Sequence, residues 1–137
     1  MITRRFLAAF AVLPAAAQAQ DAPFPNRPMA MLVGFSPGGG ADILARLLAP
    51  KLSEDLGQAV AVENRTGASG TIAAAATSRA RPDGYTVSMG TVSGNVVAPL
   101  AMRPQPIDPV RDLTPILLVA TVPMVVTVPA NSPARDL

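Results

Sequence analysis

The 137-residue sequence contains no cysteine, no histidine and no tryptophan. Without cysteine there is no disulfide framework and no thiol nucleophile. Without either residue there is no Cys/His metal site, and without histidine no Ser-His-Asp triad. Aromatic residues make up 4% of the chain, and outside the first twenty positions they are Phe24, Phe35 and Tyr85. That is too little stacking surface for nucleic-acid binding. The formal charge of +2 comes from Arg4 and Arg5; with those set aside, acidic and basic residues balance. No apolar run approaches the roughly 20 residues of a membrane-spanning helix. The stretch 6–17 is short and contains Pro14, and 116–128 is interrupted by Pro123. What remains is a chain half hydrophobic and 15% charged, the composition of a single ordinary domain.

Residues 1–19 read as an export signal. A basic start ending in Arg4-Arg5 precedes the apolar run 6–17, and Ala17-Gln18-Ala19 has the small-x-small pattern of a cleavage site. The arginine pair lacks the usual spacer before Phe6, so the Sec route is expected. The mature chain is expected outside the cytoplasmic membrane.

Residues 20–28 form a proline-rich extended lead-in, and three strand–loop–helix units follow from residue 29. The continuous apolar run 29–35 predicts a strand buried on both faces. Ser36-Pro37-Gly38-Gly39-Gly40 ends it, and a helix is predicted over 41–56, with Ile43, Leu44, Leu47, Leu48, Leu52 and Leu56 as its buried stripe and Gly57 just past its end. Pro50 should kink that helix or split it in two. A second strand is predicted at 59–64, a flexible loop at 65–70 and an alanine-rich helix at 71–80. The turn at 81–84 leads to a third strand at 86–90, a polar loop at 91–95, and a short helix starting near Asn95. More than half of the 15 prolines lie beyond Ala98. There, Asp108-Pro109 opens a helical turn, and 116–121 and 124–128 are predicted strands. Strands alternating with helices predict an α/β fold with a mostly parallel sheet and flanking helices.

In such a sheet every strand-to-helix loop lies at the carboxyl edge, where ligands bind. Helix N-termini offer free N–H groups and partial positive charge, and glycine lets backbone approach a ligand closely. Three glycine-, serine- and threonine-rich loops therefore suit a carboxylate held by amides and hydroxyls, although the glycines serve equally well as plain turns. Known nucleotide motifs fail by spacing: the glycine run lacks the P-loop lysine, and Ile43 stands where a dinucleotide fingerprint needs glycine. Ser93 is one place too late for a nucleophile elbow. Asp42 is either a ligand or metal carboxylate or, preferred here, a group steadying the first helical turn. Glu63 either orients the loops or is simply solvated; Ser88 reads as buried polar and Met89 as core.

The ordered segments Val33-Gly34-Phe35-Ser36-Pro37-Gly38-Gly39-Gly40-Ala41-Asp42-Ile43-Leu44-Ala45-Arg46, Leu56-Gly57-Gln58, Val62-Glu63-Asn64-Arg65-Thr66-Gly67-Ala68-Ser69-Gly70, Arg81-Pro82-Asp83-Gly84-Tyr85-Thr86 and Asp108-Pro109-Val110-Arg111-Asp112-Leu113-Thr114-Pro115 resemble the tripartite tricarboxylate transporter substrate-binding receptors, the Bug family. The resemblance implies a type II periplasmic-binding-protein-like receptor of two α/β lobes. Such a receptor, as a monomer, captures a small carboxylate and delivers it to a membrane permease, with no cofactor, metal, catalytic residue or nucleic acid involved. It also implies that Phe35, Ser36, Pro37, Gly38, Gly39, Gly40 and Asp42, then Gly67, Ala68, Ser69 and Gly70, then Thr91, Ser93, Gly94 and Asn95 line the ligand. Residues 29–128 are then an incomplete first lobe and 129–137 the start of the crossover to a missing second lobe, so a truncated, weakly binding or non-functional fragment is expected. Two departures stand out: Ala41 replaces a usual Ser or Thr, and Pro50 is unusual in its helix. The alternatives are an α/β enzyme using the loops for a phosphate ester or cofactor, or a structural protein whose glycines only turn the chain.

Overall fold

A computed structural model describes residues 23–123 and 125–133. The leader at 1–19 and the first residues of the lead-in lie outside the described residues, as do Met124 and the last four residues. The elements run β1 (Met29–Val33), α1 (Gly40–Leu56), β2 (Val60–Asn64), a 3₁₀ turn (Ala68–Gly70), α2 (Thr71–Ser78), β3 (Thr86–Met89), a π-helical turn (Ser93–Val97) and α3 (Ala98–Ala101). The three strands form one parallel sheet in the order β2-β1-β3. Val33 sits level with Asn64 on one side and Met89 on the other, so the three strand ends are in register. The expected parallel α/β architecture is present.

Alternation along β1 divides the core between two faces. Met29, Met31 and Val33 pack with Ala45 and Ala49 of α1, and with Val60 and Met89. Leu32, on the opposite face, is buried where α2 lies against β1 and β3. Beyond α3 the chain returns to place Ile107 and Leu113 against Ala74 and Ala75 of α2. The turn carrying them is capped as its sequence implies. Asp108 Oδ1 accepts from the N–H groups of Val110 and Arg111, and Asp112 Oδ2 accepts from the Asp108 N–H.

Several expectations change in the fold. Helix α1 is neither split nor ended by Pro50. The proline is on the exposed side, where the carbonyl it leaves unbonded can meet water. The buried stripe is also rotated. Its centre is Asp42, Ala45 and Ala49, with Leu44, Leu48, Leu52 and Leu56 on the flanks, while Ile43 is 50% and Leu47 68% exposed. Small side chains allow close approach of helix to sheet, so alanine rather than leucine marks the inner face. Gly57 ends the helix in the left-handed conformation at φ 65°, as its position predicted. Helical structure after β3 begins before Asn95, with the turn Ser93–Val97. Ser88 is half-buried, whereas Met89 is core. Among the described residues no strand follows β3: 116–121 and 125–128 form no regular secondary structure and are exposed. A β-prone segment becomes a strand only when a neighbour accepts its backbone hydrogen bonds, and the described sheet holds β1, β2 and β3 alone.

Leu32→Ala should lower unfolding stability by about 2–5 kcal/mol. Leu47→Ala should change it by less than about 0.5 kcal/mol. Urea midpoints check both, and that of Leu47→Ala checks the direction in which α1 faces.

Candidate functional site

The parallel register delivers Val33, Asn64 and Met89 to one sheet edge, and the following loops meet there. Three glycines set their separation. A Cβ on Gly34 would lie 2.7 Å from the Gly70 Cα and 2.8 Å from its carbonyl oxygen. One on Gly94 would lie 2.9 Å from the Ser69 carbonyl oxygen and 3.2 Å from the Gly70 Cα. One on Gly70 would press on the Phe35 ring at 3.1 Å. The loops therefore touch backbone to backbone, with Gly70 in the middle. Thr71, buried beside it, donates from Oγ1 to the Gly94 carbonyl at 3.4 Å.

The first loop is closed by its own hydrogen bonds. Gly39 N–H donates to Ser36 O at 3.1 Å, and Gly38 N–H donates to Asp42 Oδ2 at 2.8 Å. Ser36, Pro37, Gly38 and Gly40 are exposed; Phe35 and Gly39 are half-buried. No side chain caps α1, so the first-turn N–H groups have no partner within the helix or from a capping residue. Ala41 stands where a serine or threonine could have offered a hydroxyl.

The second loop carries its residues in unusual backbone shapes. Ala68 and Ser69 have φ of 47° and 57°, followed by Gly70 at 95°. Left-handed alanine and serine cost about 1–2 kcal/mol each and persist where neighbouring structure enforces them, commonly at binding sites. Both residues are exposed, as is Gly67. The segment is thus a defined 3₁₀ turn rather than a shapeless loop. In the third loop, the Thr91 and Ser93 hydroxyls bond each other at 2.9 Å, and Gly94 N–H donates to Thr91 Oγ1 at 3.2 Å. The Asn95 carboxamide folds back over Gly90, filling the space a Cβ there would need.

Beneath the first loop lies Asp42, only 2% exposed. Its carboxylate accepts from Gly38 N–H, from Asn64 Nδ2 at 2.8 Å, and from Arg46 Nε at 3.1 and 3.0 Å to its two oxygens. These bonds, led by that of Arg46, lower its pKa from 3.8 to about 2. Asn64 also donates to Phe35 O at 3.0 Å and so ties the end of β2 to the first loop.

Of the residues expected to line a ligand, the structure brings all three loops together but assigns three members a different place. Asp42, Gly70 and Gly94 are buried; they shape the edge from inside instead of forming its surface. Sequence reasoning gave no role to Gly34, Thr71 or the carboxamide of Asn64. Gly34 was visible only as an odd glycine in an apolar run. Glu63 is exposed and paired with Arg65 at 3.0 Å, away from Asp42. Two shallow concavities, of about 340 and 500 Å³, lie elsewhere, beside α1 and β2 and beside Arg27, Tyr85 and Ala30. Neither includes a residue of the three loops; with Ser36, Pro37, Gly38, Gly40, Gly67, Ala68, Ser69 and Ser93 exposed, the edge is an open face. No group of three or more acidic, histidine or cysteine side chains able to hold a metal occurs among the described residues.

Gly34→Ala should cost about 1–3 kcal/mol, because its methyl meets backbone that cannot step aside. Gly40→Ala, with nothing within 4 Å of the new methyl, should not. Asp42 sets an acid limit. A lowered pKa stabilises the fold above pH 3.8, and this contribution fades as pH falls towards 2. Asp42→Asn should be less stable than wild type at neutral pH and show a shallower loss across that window, as read from urea midpoints at several pH values.

Comparison with known proteins identifies relatives of this chain. The family described as "Tripartite tricarboxylate transporter family receptor" matches residues 44–137. A UPF0065 protein of Bordetella bronchiseptica is 45% identical over 122 residues, covering 89% of this chain and 36% of that protein. The solved structure of MatC from Rhodopseudomonas palustris with bound malate superposes with a TM-score of 0.66 at 35% identity, covering 70% of this chain and 33% of that one. An R. palustris protein solved with adipate gives 0.60 at 40% identity, covering 64% and 29%. The chain thus spans about a third of the length of these relatives. The family match covers more than half of the chain. On those grounds the chain belongs to the receptor family of the tripartite tricarboxylate transporters.

Proposed function

We propose that this chain forms one side of the ligand cleft of a periplasmic solute receptor, which captures a small carboxylate and passes it to a membrane permease. The observation that carries this reading is the convergence of three backbone-rich loops at one sheet edge, locked by Gly34, Gly70 and Gly94. Two relatives of similar fold were solved with malate and with adipate, both dicarboxylates. Export is supported by the leader pattern at residues 1–19.

The groups at this edge suit binding without chemistry. Ser36, Gly38 and Gly40 at the start of α1 are exposed, as are Gly67, Ala68 and Ser69 of the second loop and Ser93 of the third. Uncapped N–H groups and the helix dipole attract a carboxylate without a dedicated cation. Phe35, Pro37, Gly39, Thr91 and Asn95 complete the proposed contact surface, while Asp42, Gly70 and Gly94 hold it in shape. No His, Cys or clustered acid stands there to act as a general acid or base. A ligand on an open face keeps water on its far side, so the 137-residue chain should bind only weakly.

Amide NMR during titration with malate and adipate tests this reading. Shifts should concentrate at Gly40, Ala41, Ala68, Ser69 and Ser93, with Kd of about 1 mM or weaker. The affinity should fall as salt rises, and the corresponding diamides should give no shifts. Shifts confined to other surfaces, or equal binding of the diamides, would overturn it.

A further inference from the structure

We infer that Arg46 is a positioning residue of the anion-binding edge: it neutralises Asp42 from below and holds it so that a buried negative charge does not oppose the incoming carboxylate. This rests on the proposed reading of the edge. The problem it solves is electrostatic. The fold buries a carboxylate in the first turn of α1, immediately under the loop where an anion would sit. Like charges in a poorly solvated place repel strongly. Yet Asp42 cannot simply be absent, because its oxygens organise Gly38 and Asn64.

Arg46 answers both demands. It lies one turn further along α1, and its Nε reaches both Asp42 oxygens at 3.1 and 3.0 Å. Its Nη2 donates to Asn64 Oδ1 at 3.0 Å, while Asn64 Nδ2 donates back to Asp42. The three side chains form a closed ring in which each holds the other two. The planar fork of arginine spans two acceptors on different elements, which a lysine ammonium on its flexible stem cannot hold in one geometry. The Arg46 side chain is 52% exposed, in contrast to the buried Asp42, so it can be changed without opening the core. Asp42, Arg46 and the α1 dipole then combine to leave the edge attractive to anions. Arg65 is engaged with Glu63 instead.

The test compares the whole chain carrying Arg46→Met, Arg46→Lys, Lys51→Met, or Arg46→Met with Asp42→Asn. Malate is the probe, and affinity is read from amide shifts. Arg46→Met should weaken malate binding about fivefold or more. Arg46→Lys should recover part of the loss. The double variant, which restores the local charge balance, should bind better than Arg46→Met alone. Lys51→Met, which removes a cation from the same helix away from the loops, should bind as wild type does. The carboxyl carbon of Asp42, followed by NMR against pH, should titrate at higher pH in Arg46→Met than in wild type. Malate affinity unchanged in Arg46→Met, or no recovery in the double variant, overturns the inference. If the wild-type chain shows no malate shifts, the reading of the edge fails. The hold of Arg46 on Asp42 is then decided by the carboxyl titration, and an unmoved midpoint overturns it.

Discussion

Contact between bare backbones at Gly34, Gly70 and Gly94 is the constraint on which the rest of this structure depends. Three parallel strands bring their ends to one edge, but parallel strands alone leave the loops beyond them free to splay. Here a methyl group on Gly34 or Gly94 would overlap the neighbouring loop's backbone, so the loops sit as close as main chains can. Close-packed interiors transmit such limits, because backbone has no rotamer with which to yield. The left-handed Ala68 and Ser69 are held in the same compact corner.

A second layer, made of charge, supports this junction. Asp42 is buried, and it is held by three donors from three segments, Arg46 Nε reaching both of its oxygens. Its removal would release Gly38, Asn64 and Arg46 together, so the ring joins α1, the end of β2 and the loop after β1 into one unit. The opposite end of the sheet is fastened differently. Arg27 pairs with Asp83 at 2.9 Å and lies 4.0 Å over the Tyr85 ring, whose hydroxyl bonds Asn26 and whose edge meets Phe24. That clasp ties the lead-in to the turn before β3 and leaves the carboxyl edge free for binding.

The proposed receptor role follows from this division of labour. In that proposal buried groups set shape and charge, while exposed amides and hydroxyls are left to meet the ligand. A site made of backbone recognises the carboxylate itself, and its selectivity among carboxylates must come from whatever surrounds the remainder of the molecule. The open face described here is consistent with that: it provides an anchor, without walls to measure ligand length.

The order of strands, loops and helices as far as α3 and their parallel arrangement were legible in the sequence, because alternation of apolar runs with glycine-rich breaks reflects backbone geometry directly. The turn at Asp108 and the cap at Gly57 were legible for the same local reason. The inward face of α1 was not: leucine periodicity pointed to Ile43 and Leu47, whereas the sheet selected Ala45 and Ala49 for their small size. Nor were the absence of strands at 116–121 and 125–128, the place of Gly34 in the junction, or the ring of Asp42, Arg46 and Asn64. Each of these depends on what lies across from a residue in space. Local sequence determined which elements form and which groups they carry, while tertiary packing decided which glycines are spacers, which polar groups are buried, and which remain for a ligand.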